Sequence, residues 1–128
     1  MAATGTATEP GDSRRSLGRR GERLAAAHLK RAGLTVLEAN WRCREGELDL
    51  LATDGRMLVV CEVKTRSGAA CGDGEESVTA AKAARIRRLA NRWLCARRVQ
   101  WCRVRFDVIA VTLPEDGRPE LRHIEGAF

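Results

Sequence analysis

Asp54-Gly55 stands between two apolar runs, Leu48 to Thr53 and Met57 to Val63, and this restricts the middle of the chain to a tight antiparallel hairpin. With Asp54 and Gly55 as the two loop residues, Asp49 faces Val60 and Glu47 faces Glu62. Period-two alternation then predicts Glu47, Asp49, Glu62 and Lys64 on one face, with Asp49 and Glu62 diagonal neighbours roughly 7 to 8 Å apart. Leu48, Leu50, Val59, Cys61 and Val63 fall on the opposite face, a core surface for a covering helix. A four-residue loop preserves this parity, and a three-residue loop with a bulge breaks it.

Carboxylates held this close repel unless a cation or proton intervenes, so the arrangement is costly as pure architecture. Mg²⁺ suits it: the ion takes oxygen ligands, uses one or two carboxylates and keeps positions for water and substrate phosphate. Lys64, two residues beyond Glu62, is placed to orient an attacking water or to stabilise charge developing on a phosphate. The competing reading is a solvated strand face with ordinary ion pairs.

The length of 128 residues fits one domain with its own core, and no apolar run reaches the length of a transmembrane helix or a secretory signal. Cytoplasm is the expected compartment, with no membrane partner. Five cysteines, at 43, 61, 71, 95 and 102, lack zinc-like spacing with His28 and His123, so reduced, packed thiols are expected. The net charge of +6 comes almost wholly from arginine, whose planar fork matches phosphate. Basic residues gather at Arg14, Arg15, Arg19, Arg20 and Arg23 and again from Lys82 to Arg98, which points to nucleic acid, although a solvated helix face explains the same pattern.

Residues 1–16 read as a disordered tail and the folded part begins near Leu17. Helical spacing predicts a helix over 18–32 ended by Gly33, and a second over 78–97 with Ser77 or Thr79 near its cap. Glu22 then sits at the edge of the first helix's buried face, or serves as an ordinary first-turn acid. Strands are expected over 34–39, in the hairpin, over 103–112 and over 120–124, with an irregular stretch over 67–76. Asp107 needs a polar partner if it is buried. Trp93 reads as core and Trp41 as a candidate exposed platform, while the absence of Tyr argues against a stacked-aromatic RNA-binding sheet.

Taken together, Gly18-x-x-Gly21-Glu22, Asn40-x-Arg42, Gly46-Glu47-Leu48-Asp49-Leu50, Glu62-Val63-Lys64-Thr65-Arg66, Val78-Thr79-x-x-Lys82, Arg105-Phe106-Asp107-Val108 and the closing Ala127-Phe128 resemble the small bacterial YraN family, whose members resemble restriction-endonuclease-like nucleases. The resemblance implies an α/β fold over 17–128, a restriction-endonuclease-like core whose mixed central β-sheet is flanked by helices, with a PD-(D/E)xK site. It implies Asp49 and Glu62 as metal carboxylates, the Val63 carbonyl completing the metal shell, Lys64 as the catalytic lysine and Glu22 as a helix glutamate near the metal. Arg19, Arg20, Arg42, Arg66, Lys82 and Arg85 are the candidate nucleic-acid contacts. The motif's proline is absent before Asp49, and Cys61 and Cys71 stand where larger residues are usual.

The expectation is therefore a nuclease dependent on Mg²⁺ or Mn²⁺ that hydrolyses phosphodiester bonds in DNA, ahead of RNA, with branched or structured DNA as a substrate class. A symmetric junction substrate would favour a homodimer. The alternatives are a non-catalytic nucleic-acid-binding accessory protein and a protein-interaction module whose arginines meet an acidic partner.

Overall fold

The computed structural model describes residues 10–68, 78–100 and 102–128. In chain order the elements are α1 (Pro10–Arg31), β1 (Thr35–Cys43), β2 (Gly46–Thr53), β3 (Met57–Ser67), α2 (Ala80–Ala96), β4 (Arg103–Leu113) and β5 (Glu120–Ile124). They build the expected α/β architecture, one mixed five-stranded sheet in the order β1-β2-β3-β4-β5 packed with two helices. Neighbouring strands are antiparallel except β3 and β4, which run parallel over eleven paired positions. A parallel pair needs a crossover, and α2 supplies it.

Helices cover both faces of the sheet. Ala25 and Leu29 of α1 pack with Leu50, Ala52, Val59, Cys61, Ile109 and Val111. Ile86, Leu89, Ala90 and Trp93 of α2 pack with Leu48, Leu51, Leu58, Val60 and Phe106. Strands covered on both sides lose the apolar-polar alternation, which is why Leu58–Cys61 and Phe106–Val111 are continuously buried.

The hairpin differs from the two-residue loop in one respect. Asp54 Oδ1 accepts from the amides of Arg56 and Met57 at 2.8 and 2.9 Å, and Thr53 Oγ1 accepts from the Gly55 amide. Those side-chain bonds take Arg56 and Met57 out of the ladder, so the loop spans four residues and Thr53 pairs with Leu58. Val60 consequently faces Leu51, not Asp49, and the last regular pair is Leu50 with Cys61.

A second correction concerns β2. Leu48 and Leu51 lie in the α2 cluster while Leu50 and Ala52 lie in the α1 cluster. Strict alternation puts residues three apart on opposite faces, so the pleat breaks between Leu48 and Leu51. The expected uniform apolar face, Leu48 included, is therefore divided between the two helices.

Other boundaries shift too. Helix α1 starts at Pro10, ahead of the expected residue 18 and within the stretch read as tail. Strand β1 runs on to Cys43, past a register shift between Val36 and Glu38 and past Asn40 at φ 55°, a backbone conformation Asn tolerates better than most residues. Helix α2 is capped by Thr79, whose hydroxyl accepts from the Lys82 amide at 3.1 Å, as one of the two cap candidates requires. Trp93 is buried, whereas Trp41 is half-buried against the α2 cluster and so is no exposed platform. Cys61 is buried with its thiol pushed up to about 12, first by burial and then by Asp107, and Cys95 is exposed. Ser77, Cys71, Trp101 and most of the 67–76 stretch lie outside the described residues. Among the described residues no helix is long and apolar enough to cross a membrane.

Gly21 sets how closely α1 approaches the sheet. A Cβ there would lie 2.0 Å from Thr65 Oγ1 and 2.8 Å from Thr65 Cγ2. Thr65 is β-branched and stiff, so the clash moves backbone. Gly21→Ala is expected to lower stability by about 1 to 3 kcal/mol. Thermal unfolding of Gly21→Ala alone and with Thr65→Ala checks this: the second change should recover most of the loss, and equal losses in both would refute the contact.

Candidate functional site

Strand β2 begins beside the middle of β3, and α1 brings Glu22 to that place. Carboxylate oxygens of Glu22, Glu47 and Asp49 all lie within 4.8 Å of one another, and each residue is half-buried. Glu47 and Asp49 come from one strand by period-two spacing, and Glu22 is brought by the Gly21–Thr65 contact one residue before it. The group offers three oxygen donors of like charge, a donor set that fits a hard divalent cation such as Mg²⁺ or Mn²⁺.

Asp49 shows the strain of the arrangement. Burial, and then the charge of Glu62, push its carboxyl up to about 7, with Glu22 and Glu47 adding to the effect. The opposing influence is a hydrogen bond from the Val63 amide to Asp49 Oδ2 at 2.8 Å. The Asp49 carboxylate thus bridges the gap where the β2–β3 ladder ends and ties the broken pleat to β3.

Of the other residues singled out from the sequence, Val63 meets Asp49 through its amide. Glu62, expected as a metal carboxylate, acts on Asp49 more strongly than Glu22 or Glu47 does, and its Oε2 meets Lys82 Nζ of α2 at 2.6 Å. The four residues expected on one strand face are therefore not gathered there: Glu47 and Asp49 join α1, and Glu62 reaches α2. Lys64 is half-buried on β3. Glu47 was visible as a face residue by its spacing from Asp49, yet its place among the ligand candidates emerges only with α1 docked.

The basic residues divide in the same way. Arg19 and Arg23 line a cavity of about 200 Å³ with Glu22, Ala26, Ala39, Asn40 and Leu50, directly beside the triad. Arg42 pairs with Glu47 at 3.4 Å. On α2 and at its C-cap, Arg87 lies over the Phe106 ring, Arg92 pairs with Glu45 and Arg97 with Glu38, so each of the three has a partner within the chain. Arg20, Arg85 and Arg88 are exposed, and Arg66 is half-buried at the end of β3.

One cluster carried no sequence signal beyond Asp107's need for a partner. The fully buried Asp107 accepts from Arg105 Nε at 2.9 Å, Arg105 Nη2 at 2.8 Å and the Gly126 amide at 3.0 Å, and it contacts His123 Nε2 at 2.8 Å. His123 Nδ1 in turn meets His28 Nε2 at 3.0 Å, linking β5 to α1. An ionised carboxylate only accepts, so His123 carries a proton on Nε2, and its other ring nitrogen is the one that meets His28.

The fold and the acidic site together define a mixed-sheet α/β domain with a three-carboxylate, cation-fitting cluster between α1 and β2. The profile described as "Uncharacterised protein family UPF0102" matches residues 21–111, and the chain belongs to that family. It is 55% identical over 113 residues to a UPF0102 protein of Frankia casuarinae, covering 88% of this chain and 96% of that one. A UPF0102 protein of Acidothermus cellulolyticus is 49% identical over the full length of both chains, and one of Kineococcus radiotolerans is 52% identical over 87% of this chain and 92% of the relative.

Proposed function

We propose that this chain is a nuclease of PD-(D/E)xK type, dependent on Mg²⁺ or Mn²⁺, that hydrolyses phosphodiester bonds in DNA. The observation that carries the reading is the convergence of Glu22, Glu47 and Asp49 from two elements, with oxygens inside 4.8 Å. Repulsion among them is a structural cost that a divalent cation relieves. When bound, the cation supplies Lewis-acid activation of the phosphoryl group and of water.

The chain's own residues do the rest. Asp49 is held rigid by the Val63 amide, so its free oxygen is presented in a set direction. Arg19 and Arg23, on the rim of the cavity beside Glu22, are placed to take phosphate oxygens. Lys64, on the strand that anchors Asp49, is the candidate for orienting water or balancing charge on the phosphate.

Purified protein incubated with labelled duplex, flap, four-way-junction and single-stranded DNA and RNA tests this. Cleavage of at least one DNA with Mg²⁺ or Mn²⁺, abolished by chelation, is the expected result. Salt-sensitive binding across the panel with no cleavage would favour the accessory-binder reading, for which the exposed Arg20, Arg85 and Arg88 are the supporting observation.

A further inference from the structure

We propose that Lys82 is a tethered counter-cation that holds Glu62 out of the carboxylate cluster, so that loading the cluster with a divalent ion and breaking the Lys82–Glu62 pair are one event. This rests on the metal site proposed above and adds a residue and a coupling that site does not require.

The start of α2 carries a local misfit. Thr79 is the N-cap of α2, and Lys82 is its third helical residue. In a capping box that position carries Glu or Gln, which returns a bond to the cap amide, and the positive end of a helix favours acidic side chains. Here the first turn holds no acid and places a lysine there instead. Helix formation gives no reason for that choice.

The tertiary contact does. Lys82 Nζ lies 2.6 Å from Glu62 Oε2, and the Glu62 side chain is only 12% exposed. An enclosed carboxylate needs a cation, and Lys82 supplies one from the facing element. Glu62 also lies next to Val63, whose amide holds Asp49, and its charge is the main one acting on the Asp49 carboxyl. The Glu62 carboxylate is therefore near the triad yet directed to α2. A divalent ion at the triad attracts the same carboxylate, and Lys82 competes with it. Two cations competing for one carboxylate make metal affinity depend on the ammonium, and by linkage the metal loosens the ion pair.

The test is Mn²⁺ binding to the intact chain, followed by calorimetry, for the wild type, Lys82→Gln, Glu62→Gln and the double variant. Lys82→Gln removes the competing charge, and the Thr-x-x-Gln capping box it completes offsets part of the lost pair, so its melting temperature is expected to fall by no more than a few degrees. Its Mn²⁺ affinity is expected to increase about threefold to tenfold. In the Glu62→Gln background the same change is expected to alter affinity less than about twofold, because the shared carboxylate is gone.

Unchanged Mn²⁺ affinity in Lys82→Gln with a lowered melting temperature would reduce the pair to a structural tie and overturn the inference. An equal gain in the Glu62→Gln background would overturn it as well, leaving only the general field of the lysine. If Mn²⁺ binds in a manner abolished by Asp49→Asn while Lys82→Gln is silent, the metal site stands and the coupling alone falls. Absence of Mn²⁺ binding in every form overturns both.

Discussion

Asp49→Asn is expected to lower metal-dependent DNA cleavage by about 10³-fold or more while leaving the fold as stable as wild type or more so. The amide keeps an oxygen that can accept from the Val63 amide, so the 2.8 Å tie between β2 and β3 survives. It removes the charge that meets Glu62, Glu22 and Glu47 in a half-buried setting, and with it a repulsion on the order of 1 kcal/mol. Function and stability then move in opposite directions, as they do where a site stores unfavourable electrostatics. Single-turnover cleavage and thermal unfolding of the same preparations read both effects. Full cleavage by a well-folded Asp49→Asn protein would sink the nuclease reading, and a melting temperature lowered by many degrees would show that the carboxylate's role is structural.

Asp107→Asn is the change expected to damage the fold most, by ~3 kcal/mol, or roughly 10 °C in melting temperature. The carboxylate is fully buried and satisfies Arg105 twice, the Gly126 amide and His123. An amide presents two N–H donors where four donors already converge, and it leaves the Arg105 guanidinium without its buried partner. Burial pushes the Asp107 carboxyl up, but the bonds from Arg105, Gly126 and His123 outweigh it and hold the carboxyl below the ordinary carboxylate range. Its stabilising contribution is therefore complete above the unfolded carboxylate range, near pH 4, and is lost as the pH falls from there through the folded value. Denaturant unfolding between pH 7 and pH 3 should show a wild-type acid decline that is shallower in Asp107→Asn. Equal stability of the two proteins at pH 7 would contradict the account.

Much of the local structure was legible in the chain. The β5 boundaries, the start of β4, the Thr79 cap and the core position of Trp93 follow from strand alternation, cap chemistry and helical spacing, which depend on near neighbours alone. The hairpin was legible in place and parity. Its register was not, because Asp54 closes two more amides than a two-residue turn contains. The extension of β1 was hidden because Asn40 and the register shift near Val36 interrupt the alternation by which a strand is recognised.

The candidate site divides along the same line. Spacing alone determined that Glu47 and Asp49 share one side of a strand, that Glu62 and Lys64 lie on its neighbour, and that arginine dominates the charge. Only the tertiary structure decided that Glu47 joins Glu22 and Asp49 in one carboxylate group, that the Glu62 carboxylate meets Lys82, and that His28, His123 and Asp107 form one chain of contacts. The reason is geometric. Periodicity assigns a side chain to a face, whereas which charges meet across elements depends on where helices dock and where a pleat breaks. Here that is settled by the missing Cβ of Gly21 against Thr65 and by the interruption of β2 between Leu48 and Leu51.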